Sequence, residues 1–336
     1  MKTRIKSGLL MVPLLAVVWV GGYVLLAACV ALSVFALREF YRAFEASAAD
    51  SARPVRPSYR VGAVGIVLLY CLPYLFLGGM AWAVICVAMS LALLLMKGGR
   101  GIADSLVTMA GLFYVALFIS FIYNIDFYFG SLNIRAIADP GMANLLPSQF
   151  PGMINADIGF YIHGFRYNFV WLVVLSALAT DIFAYFIGSK WGRRKLAPSV
   201  SPNKTVEGSI GGALGSVLVC GVFGYLAMPE LLAHCIAIGA LGGIVSQVGD
   251  LTASAIKRRL GMKDFGSLIP GHGGLLDRID SIMFTAPLVY LYLRVVSAWT
   301  LNGNLQTPVF EYLWESVNGT NGSPLADILR GNGLTP

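Results

Sequence analysis

Nine apolar segments, each near the length of a membrane-spanning helix, constrain this chain more than any other feature of its sequence. A helix needs about 20 mostly apolar residues to cross a bilayer core. Of the 336 residues, 57% are hydrophobic and only 12% are charged, whereas soluble domains carry about 25% charged residues. We therefore predict an all-α, polytopic integral membrane helical bundle with about nine transmembrane helices and no soluble domain. The predicted spans are 8–20, 22–38, 61–78, 80–96, 104–122, 169–188, 209–227, 231–256 and 277–298.

These spans divide the chain into four parts. Residues 1–100 hold the N-terminal transmembrane helices, and residues 101–168 hold one helix and an extracytoplasmic loop insert that begins near Tyr123. Residues 169–300 form the transmembrane region with the candidate site, and residues 301–336 form an extracytoplasmic tail. The insert and the tail are rich in Gly, Asn and Pro, which is typical of irregular surface. The first two spans meet at two glycines and could form either a bent hairpin or one long helix.

The basic residues predict the orientation in the membrane. With a cytoplasmic N-terminus, the cytoplasmic segments carry 20 of the 24 Lys and Arg residues. These segments are 1–7, 38–60, 97–103, 188–208 and 256–278. The positive-inside rule then predicts an extracytoplasmic C-terminus in a bacterial-type inner or cell membrane. The net charge of +7 reflects this topology and anionic lipid or phosphate partners; nucleic acid is not expected, because a soluble basic domain is lacking.

Asp277 and Asp280 are the centre of a charged segment close to the last span. They are three residues apart, so a helix places both on one face. Two neighbouring carboxylates are unfavourable unless a cation lies between them, and ligation by oxygen alone suits Mg²⁺. Asp250, on the preceding span, could complete such a site. The alternative interpretation is a helix cap with an ion pair to Arg278.

Two aspartates lie inside predicted spans. Asp250 precedes Lys257 by seven residues, about 10 Å along a helix, and Asp181 precedes Lys190 by nine residues, about 13 Å. An aspartate at mid-membrane costs roughly 2.5–3.5 kcal/mol on translocon scales, and less nearer the surface. Each could be a hydrogen-bonding residue of helix packing. Their cost, and their depth near the basic segments, favour a function for both.

The basic loop 188–208 contains a predicted helix start. Ser201 followed by Pro202 suits a helix with serine as its cap and proline in its first turn. Lys204 would then project from that exposed turn, where free backbone N–H groups also favour anions. Ser201 and Lys204 are therefore candidates for binding phosphate.

A basic cluster and a glycine-rich turn precede Asp277. The cluster consists of Lys257, Arg258, Arg259 and Lys263. Its members can bind phosphate or act only as positive-inside anchors, the role favoured for Arg259. The turn Pro270-Gly271-His272-Gly273-Gly274 can bring backbone N–H groups close to a phosphate, because glycine imposes no side-chain barrier. His272 can hydrogen-bond a phosphate or orient a carboxylate.

The order of these residues resembles the signature of the phosphatidate cytidylyltransferases, also called CDP-diacylglycerol synthases. The spacing matches throughout Ser254-x-x-Lys257-Arg258-x₄-Lys263-Asp264-x₅-Pro270-Gly271-His272-Gly273-Gly274-x-x-Asp277-Arg278-x-Asp280. The resemblance extends to the stretch 201–208, to Asp181 with Tyr185 and Gly188, and to Glu39-Phe40-Tyr41-Arg42. The loop insert from residue 123 to 168 and the tail after residue 300 are not part of the pattern.

The resemblance implies an enzyme of phospholipid biosynthesis that joins CTP and phosphatidic acid into CDP-diacylglycerol and pyrophosphate at a cytoplasm-facing site. It implies Mg²⁺ as cofactor, with room for a second, monovalent cation such as K⁺. The metal carboxylates would be Asp250, Asp277 and Asp280, acting in catalysis with Lys257. The expected substrate-binding residues are Asp181, Ser201, Lys204, Ser254, Arg258, Lys263, His272, Gly273, Gly274 and Arg278. Membrane lipid is an expected partner, and a homodimer stays open.

Three other classes of protein remain as alternatives. A related lipid nucleotidyltransferase or a lipid kinase could use similar residues on another lipid. A polytopic transporter could carry buried aspartates, but transporters usually show repeated halves with paired broken spans, whereas the charge here is concentrated at one face and one end. A membrane scaffold would not need carboxylates on three spans at similar depth.

Overall fold

The computed structural model describes residues 12–48, 54–71, 78–95, 101–129, 169–266 and 273–301. Within these ranges the chain is almost entirely helical. The α-helices are α1 Val12–Val20, α2 Gly22–Ser47, α3 Tyr59–Cys71, α4 Gly78–Ala92, α5 Ile102–Gly111, α6 Leu117–Phe129, α7 Val170–Trp191, α8 Val206–Ala227, α9 Leu232–Arg259 and α10 Leu276–Leu301. A π-helical turn, Leu112–Ala116, joins α5 to α6, and an antiparallel hairpin of β1 (Lys195–Ala197) and β2 (Ser201–Thr205) joins α7 to α8.

The chain divides into two units. One comprises Met1–Leu132 and Ser148–Leu291, and the other comprises Asn133–Pro147 and Tyr292–Pro336. The described residues belong almost entirely to the first unit, which contains every contact discussed below. Most of the loop insert and nearly all of the tail lie outside the described residues.

Each of the nine predicted spans overlaps a helix, but six helices of the described chain are long and apolar enough to cross a membrane. Their ranges are Gly22–Ser47, Ile102–Phe127, Val170–Trp191, Val206–Ala227, Leu232–Arg259 and Leu276–Val296. The protein is therefore a polytopic helical membrane protein. The remaining predicted spans coincide with shorter helices, since α1 has 9 residues, α3 has 13 and α4 has 15, so the count of nine is not confirmed.

The first two predicted spans are separate helices with a break at Gly21-Gly22. Both glycines have positive φ, 63° and 56°, a conformation that glycine adopts without strain. The Gly22 N–H donates to Asp126 Oδ2 at 2.7 Å, so a carboxylate caps α2 at the break. The prediction that the loop insert begins near Tyr123 was wrong, because α6 continues to Phe129 and buries Asp126.

Glycines bring the last four helices close together, as small residues do in membrane bundles. A Cβ on Gly212 of α8 would lie 2.7 Å from the Thr180 carbonyl oxygen of α7. A Cβ on Gly249 of α9 would lie 2.7 Å from the Asp280 carbonyl oxygen of α10. These contacts hold α7 against α8 and α9 against α10, next to Asp181, Asp250 and Asp280.

The predicted helix start at Ser201-Pro202 was wrong. Ser201 pairs with Ala197 in the hairpin, and Lys204 lies on β2 instead of in a helical turn. Helix α8 begins at Val206, and Thr205 is its cap, with the Thr205 hydroxyl oxygen accepting the Gly208 N–H at 3.2 Å. Thr205, directly before α8, accepts a free N–H of the first turn of that helix. Ser201 is therefore not needed as the cap of α8, and it pairs in the hairpin instead.

Candidate active site

Three carboxylates from three different helices form the acidic part of the site. Asp181 of α7, Asp250 of α9 and Asp280 of α10 are close enough to repel one another. Asp181 accepts a hydrogen bond from Ser281, whose hydroxyl also lies 3.4 Å from Asp280 Oδ1. Such a cluster needs positive charge to offset the mutual repulsion.

Lys204 supplies part of that charge. Its ammonium group forms an ion pair with Asp250 Oδ2, and the two side chains are 27% and 26% exposed. The Ser254 hydroxyl donates to the other oxygen of Asp250, Oδ1, at 3.3 Å. Because Lys204 is on β2, the hairpin places a cation against the acidic cluster of the helices. The pair remains accessible to an incoming phosphate.

Asp277 is held differently, by contacts to both of its oxygens. Lys257 Nζ donates to Oδ1 at 2.6 Å, and the two side chains are only 11% and 5% exposed. The N–H groups of Phe265 and Gly274 donate to Oδ2 at 2.9 and 3.0 Å. The Lys257 ammonium also lies 5.5 Å from the centre of the Phe265 ring, a cation–π contact. Asp277 therefore fixes the loop between α9 and α10 as well as pairing with a lysine.

Arg258 connects the hairpin to the start of this loop. Its Nε donates to the Val200 carbonyl at 3.3 Å and its Nη1 to the Met262 carbonyl at 3.2 Å. On the other side of the hairpin, Glu207 accepts the backbone N–H groups of residues 193 and 194. These bonds join the basic hairpin to the ends of α7, α8 and α9.

The remaining predicted site residues are dispersed around this centre. Gly273 has φ +82°, and a Cβ there would lie 3.2 Å from Asp264 Oδ1, so the turn has a conformation that favours glycine. Lys263 and Arg278 are exposed on the loop and on the first turn of α10. His272 lies outside the described residues, so its role stays a prediction.

Glu39 is a site residue that the sequence interpretation did not select. It lies on α2, only 8% exposed, and its Oε2 accepts the N–H of Leu276 at 2.9 Å. It therefore contacts the first residue of α10, directly before Asp277. The signal was present, since Glu39-Phe40-Tyr41-Arg42 was part of the family resemblance, but its partner is 237 residues away in sequence.

Tyr114 is a second residue that the sequence did not indicate. It lies in the π-helical turn, and its ring packs against that of Phe284 on α10, with ring centroids 6.0 Å apart, close to the carboxylates of the site. Its hydroxyl is buried and has no hydrogen-bond partner among the residues that the structure describes. Single π-helical turns occur often at functional sites. In the sequence, however, Tyr114 is one more aromatic residue in an apolar span, and nothing there indicates that it belongs to a site.

The donor set suits a hard divalent cation. Carboxylate oxygens are the ligands that Mg²⁺ prefers, and Mg²⁺ usually takes one or two of them together with water and substrate phosphates. Among the described residues, no group of three or more His, Cys, Asp and Glu side chains is already arranged as a metal site. Two of the predicted metal carboxylates, Asp250 and Asp277, are instead paired with lysines.

The fold and site define a class: an integral membrane protein in which carboxylates of α7, α9 and α10 lie together and a lysine of the basic hairpin pairs with one of them. The model of the cytidylyltransferase family matches residues 2–296, and the chain belongs to that family.

Named relatives agree with the family match. A phosphatidate cytidylyltransferase of Synechocystis sp. is 41% identical over 193 residues, covering 57% of this chain and 62% of the relative. Phosphatidate cytidylyltransferase 4, chloroplastic, of Arabidopsis thaliana is 32% identical over 301 residues, covering 88% of this chain and 73% of the relative. The uncharacterized protein YnbB of Escherichia coli is 46% identical over 127 residues, covering 37% and 43%. The chain thus matches less than two thirds of the length of some of these relatives.

Proposed function

We propose that this protein is a phosphatidate cytidylyltransferase, which converts CTP and phosphatidic acid into CDP-diacylglycerol and pyrophosphate. The observation that carries the proposal is the cluster of Asp181, Asp250 and Asp280 with Lys204 and Lys257 close by. Both substrates are polyanions, so a catalyst must first suppress their repulsion. Fixed cations beside carboxylates that can bind a metal meet that requirement.

In the proposed reaction, an oxygen of the lipid phosphate attacks the α-phosphorus of CTP. The bond between the α-phosphorus and the bridging oxygen breaks, and pyrophosphate leaves. A strong general base is not needed, because the attacking phosphate is already ionised near neutral pH. The protein contributes positioning and charge stabilisation, which are the main requirements of phosphoryl transfer.

Lys204 can exchange its partner when the substrates bind. Lys204 is about one quarter exposed, so a triphosphate can compete with Asp250 for its ammonium group. Asp250 and Asp280, together with Asp277, would hold Mg²⁺. When bound, Mg²⁺ would neutralise the charges of the phosphates and align the phosphate oxygens. Arg258, which contacts the hairpin at Val200, and the exposed Lys263 are candidates for further phosphate contacts.

The location of the cluster suits a lipid substrate. The carboxylates lie within α7, α9 and α10, which are long and apolar enough to span a membrane, and the basic hairpin reaches them through Lys204. Acyl chains can therefore stay in the lipid while the phosphate meets CTP from water. We propose that this end of the bundle faces the cytoplasm, in agreement with the basic-residue count.

The test is pyrophosphate release by the detergent-purified protein supplied with CTP, phosphatidic acid and Mg²⁺. We expect release that needs all three and a CDP-lipid in equal amount. Samples lacking the lipid, and the Asp250→Asn variant, serve as controls. Pyrophosphate release without lipid, or no release from protein shown to be folded, would overturn the proposal.

A further inference from the structure

Both ends of the loop that precedes Asp277 meet one buried carboxylate from a helix distant in sequence. Helix α9 ends at Arg259 and α10 begins at Leu276, and residues 267–272 between them lie outside the described part. On the described sides of that gap, Gly266 and Gly274 both pack against Glu39 of α2. A Cβ on Gly266 would lie 2.8 Å from Glu39 Oε1, and a Cβ on Gly274 would lie 2.7 Å from Glu39 Oε2. Only residues without a side chain let Glu39 lie so close to both.

Glu39 also caps the first turn of α10. Its Oε2 accepts the N–H of Leu276, the first residue of that helix, at 2.9 Å. The N–H groups of a first helical turn have no partner within their own helix, and a negative charge there is favourable. Because Asp277 is the next residue, this bond fixes the backbone from which the Asp277 side chain projects.

The two carboxylates share the backbone donors around the gap. Asp277 accepts the N–H groups of Phe265 and Gly274, while Glu39 accepts that of Leu276. Glu39 thereby holds the backbone next to Asp277, whose Oδ1 lies 2.6 Å from Lys257 Nζ.

The identity of residue 39 needs an explanation beyond packing. A buried carboxylate is costly, and one of its oxygens, Oε1, is buried and accepts no hydrogen bond from the part of the chain that the structure describes. A contact that served packing alone in an apolar bundle would be made more cheaply by an apolar residue. We propose that Glu39 is a positioning residue, which sets the Asp277–Lys257 pair by clamping both sides of the α9–α10 loop. Only its expected effects on turnover and on the Mg²⁺ requirement rest on the proposed function.

The test compares Glu39→Ala, Glu39→Gln and the control Glu45→Ala in the full-length, detergent-purified protein. Glu45 is another acidic residue of α2, and its contact is with the Tyr59 hydroxyl, 2.8 Å away, not with the loop. Two properties are measured: hydrogen–deuterium exchange over residues 263–278, and the turnover number with the Mg²⁺ concentration for half-maximal activity.

Glu39→Ala is expected to speed exchange in this segment at least tenfold and to lower turnover at least tenfold, with a higher Mg²⁺ requirement. Glu39→Gln keeps an oxygen for the Leu276 N–H, so both properties should stay within about threefold of wild type. Glu45→Ala should match wild type in both.

Three results would overturn the inference. The first is normal exchange and turnover in Glu39→Ala. The second is faster exchange throughout the protein instead of in this segment, which would indicate a general structural role. The third is a Glu39→Gln variant as impaired as the alanine variant. An inactive wild-type protein would instead count against the proposed cytidylyltransferase activity, and the exchange comparison would still decide the role of Glu39.

Discussion

The two lysine–aspartate pairs of the site differ in burial, and this difference separates their roles. The side chains of Lys257 and Asp277 are 11% and 5% exposed, whereas those of Lys204 and Asp250 are 27% and 26% exposed. Removing one partner of a buried pair costs about 3–5 kcal/mol, but an exposed pair contributes only about 0–1 kcal/mol. The first pair therefore stabilises the α9–α10 loop, and the second is free to exchange its partner for substrate.

Neutralising Asp277 should stop the reaction without unfolding the protein. In Asp277→Asn the amide can still accept a backbone N–H, but it no longer balances Lys257. We expect turnover to fall by about 100-fold or more, with a lower melting temperature and a cooperative melting transition in detergent. Glu45→Gln, which neutralises a carboxylate distant from the loop, is the matched control. Near-normal turnover in Asp277→Asn would rule out both its metal role and its loop role.

At the scale of elements, glycine spacing on α8 sets the position of Asp181. Gly212 faces the backbone of α7 one residue before Asp181, whereas a Cβ on Gly221 of the same helix would meet nothing nearer than Ile236 Cγ1 at 3.4 Å. One helix thus offers a crowded glycine and an uncrowded glycine. The crowded one is needed for helix contact, and the other is not.

Gly212→Ala should therefore destabilise the protein, and Gly221→Ala should not. The new methyl group at position 212 would press on a backbone oxygen that cannot move aside, at a cost of about 1–3 kcal/mol. At position 221 alanine favours the helix by up to about 1 kcal/mol. Thermal melting in one detergent measures both, and turnover should fall only in Gly212→Ala. Equal melting temperatures for the two variants would contradict this account of α7–α8 packing.

Helices were predictable where local composition determines the secondary structure, and elements were missed where a contact with a distant residue determines it. The apolar spans required only hydropathy, whereas the two adjacent glycines left both a bent hairpin and one long helix open, and the structure shows a break there. The hairpin was missed because Ser201-Pro202 also suits a helix start, and the choice depends on pairing with Ala197. The residues of the candidate site were largely named from their motif, but the ion pairs of Asp250 and Asp277 depend on side chains from other elements.

At the scale of the whole molecule, the orientation in the membrane is open to a direct test. In a variant whose five natural cysteines are replaced by alanine, Ser199→Cys lies at the hairpin and Ser316→Cys lies in the tail. A membrane-impermeant thiol reagent applied to intact cells should label residue 316 but not residue 199. Permeabilised cells, in which residue 199 should react, provide the control. Labelling of residue 199 in intact cells would contradict a cytoplasmic site.

The measurement that tests the central claim most directly follows the phosphorus atoms of CTP. Purified protein is given phosphatidic acid, Mg²⁺ and CTP that is radiolabelled either at the α-phosphate or at the γ-phosphate. Cytidylyl transfer predicts that the α-label enters the organic-extractable lipid in proportion to the pyrophosphate released, while the γ-label stays in pyrophosphate. Appearance of the γ-label in lipid would identify a lipid kinase, and would contradict the mechanism derived from the carboxylate and lysine cluster.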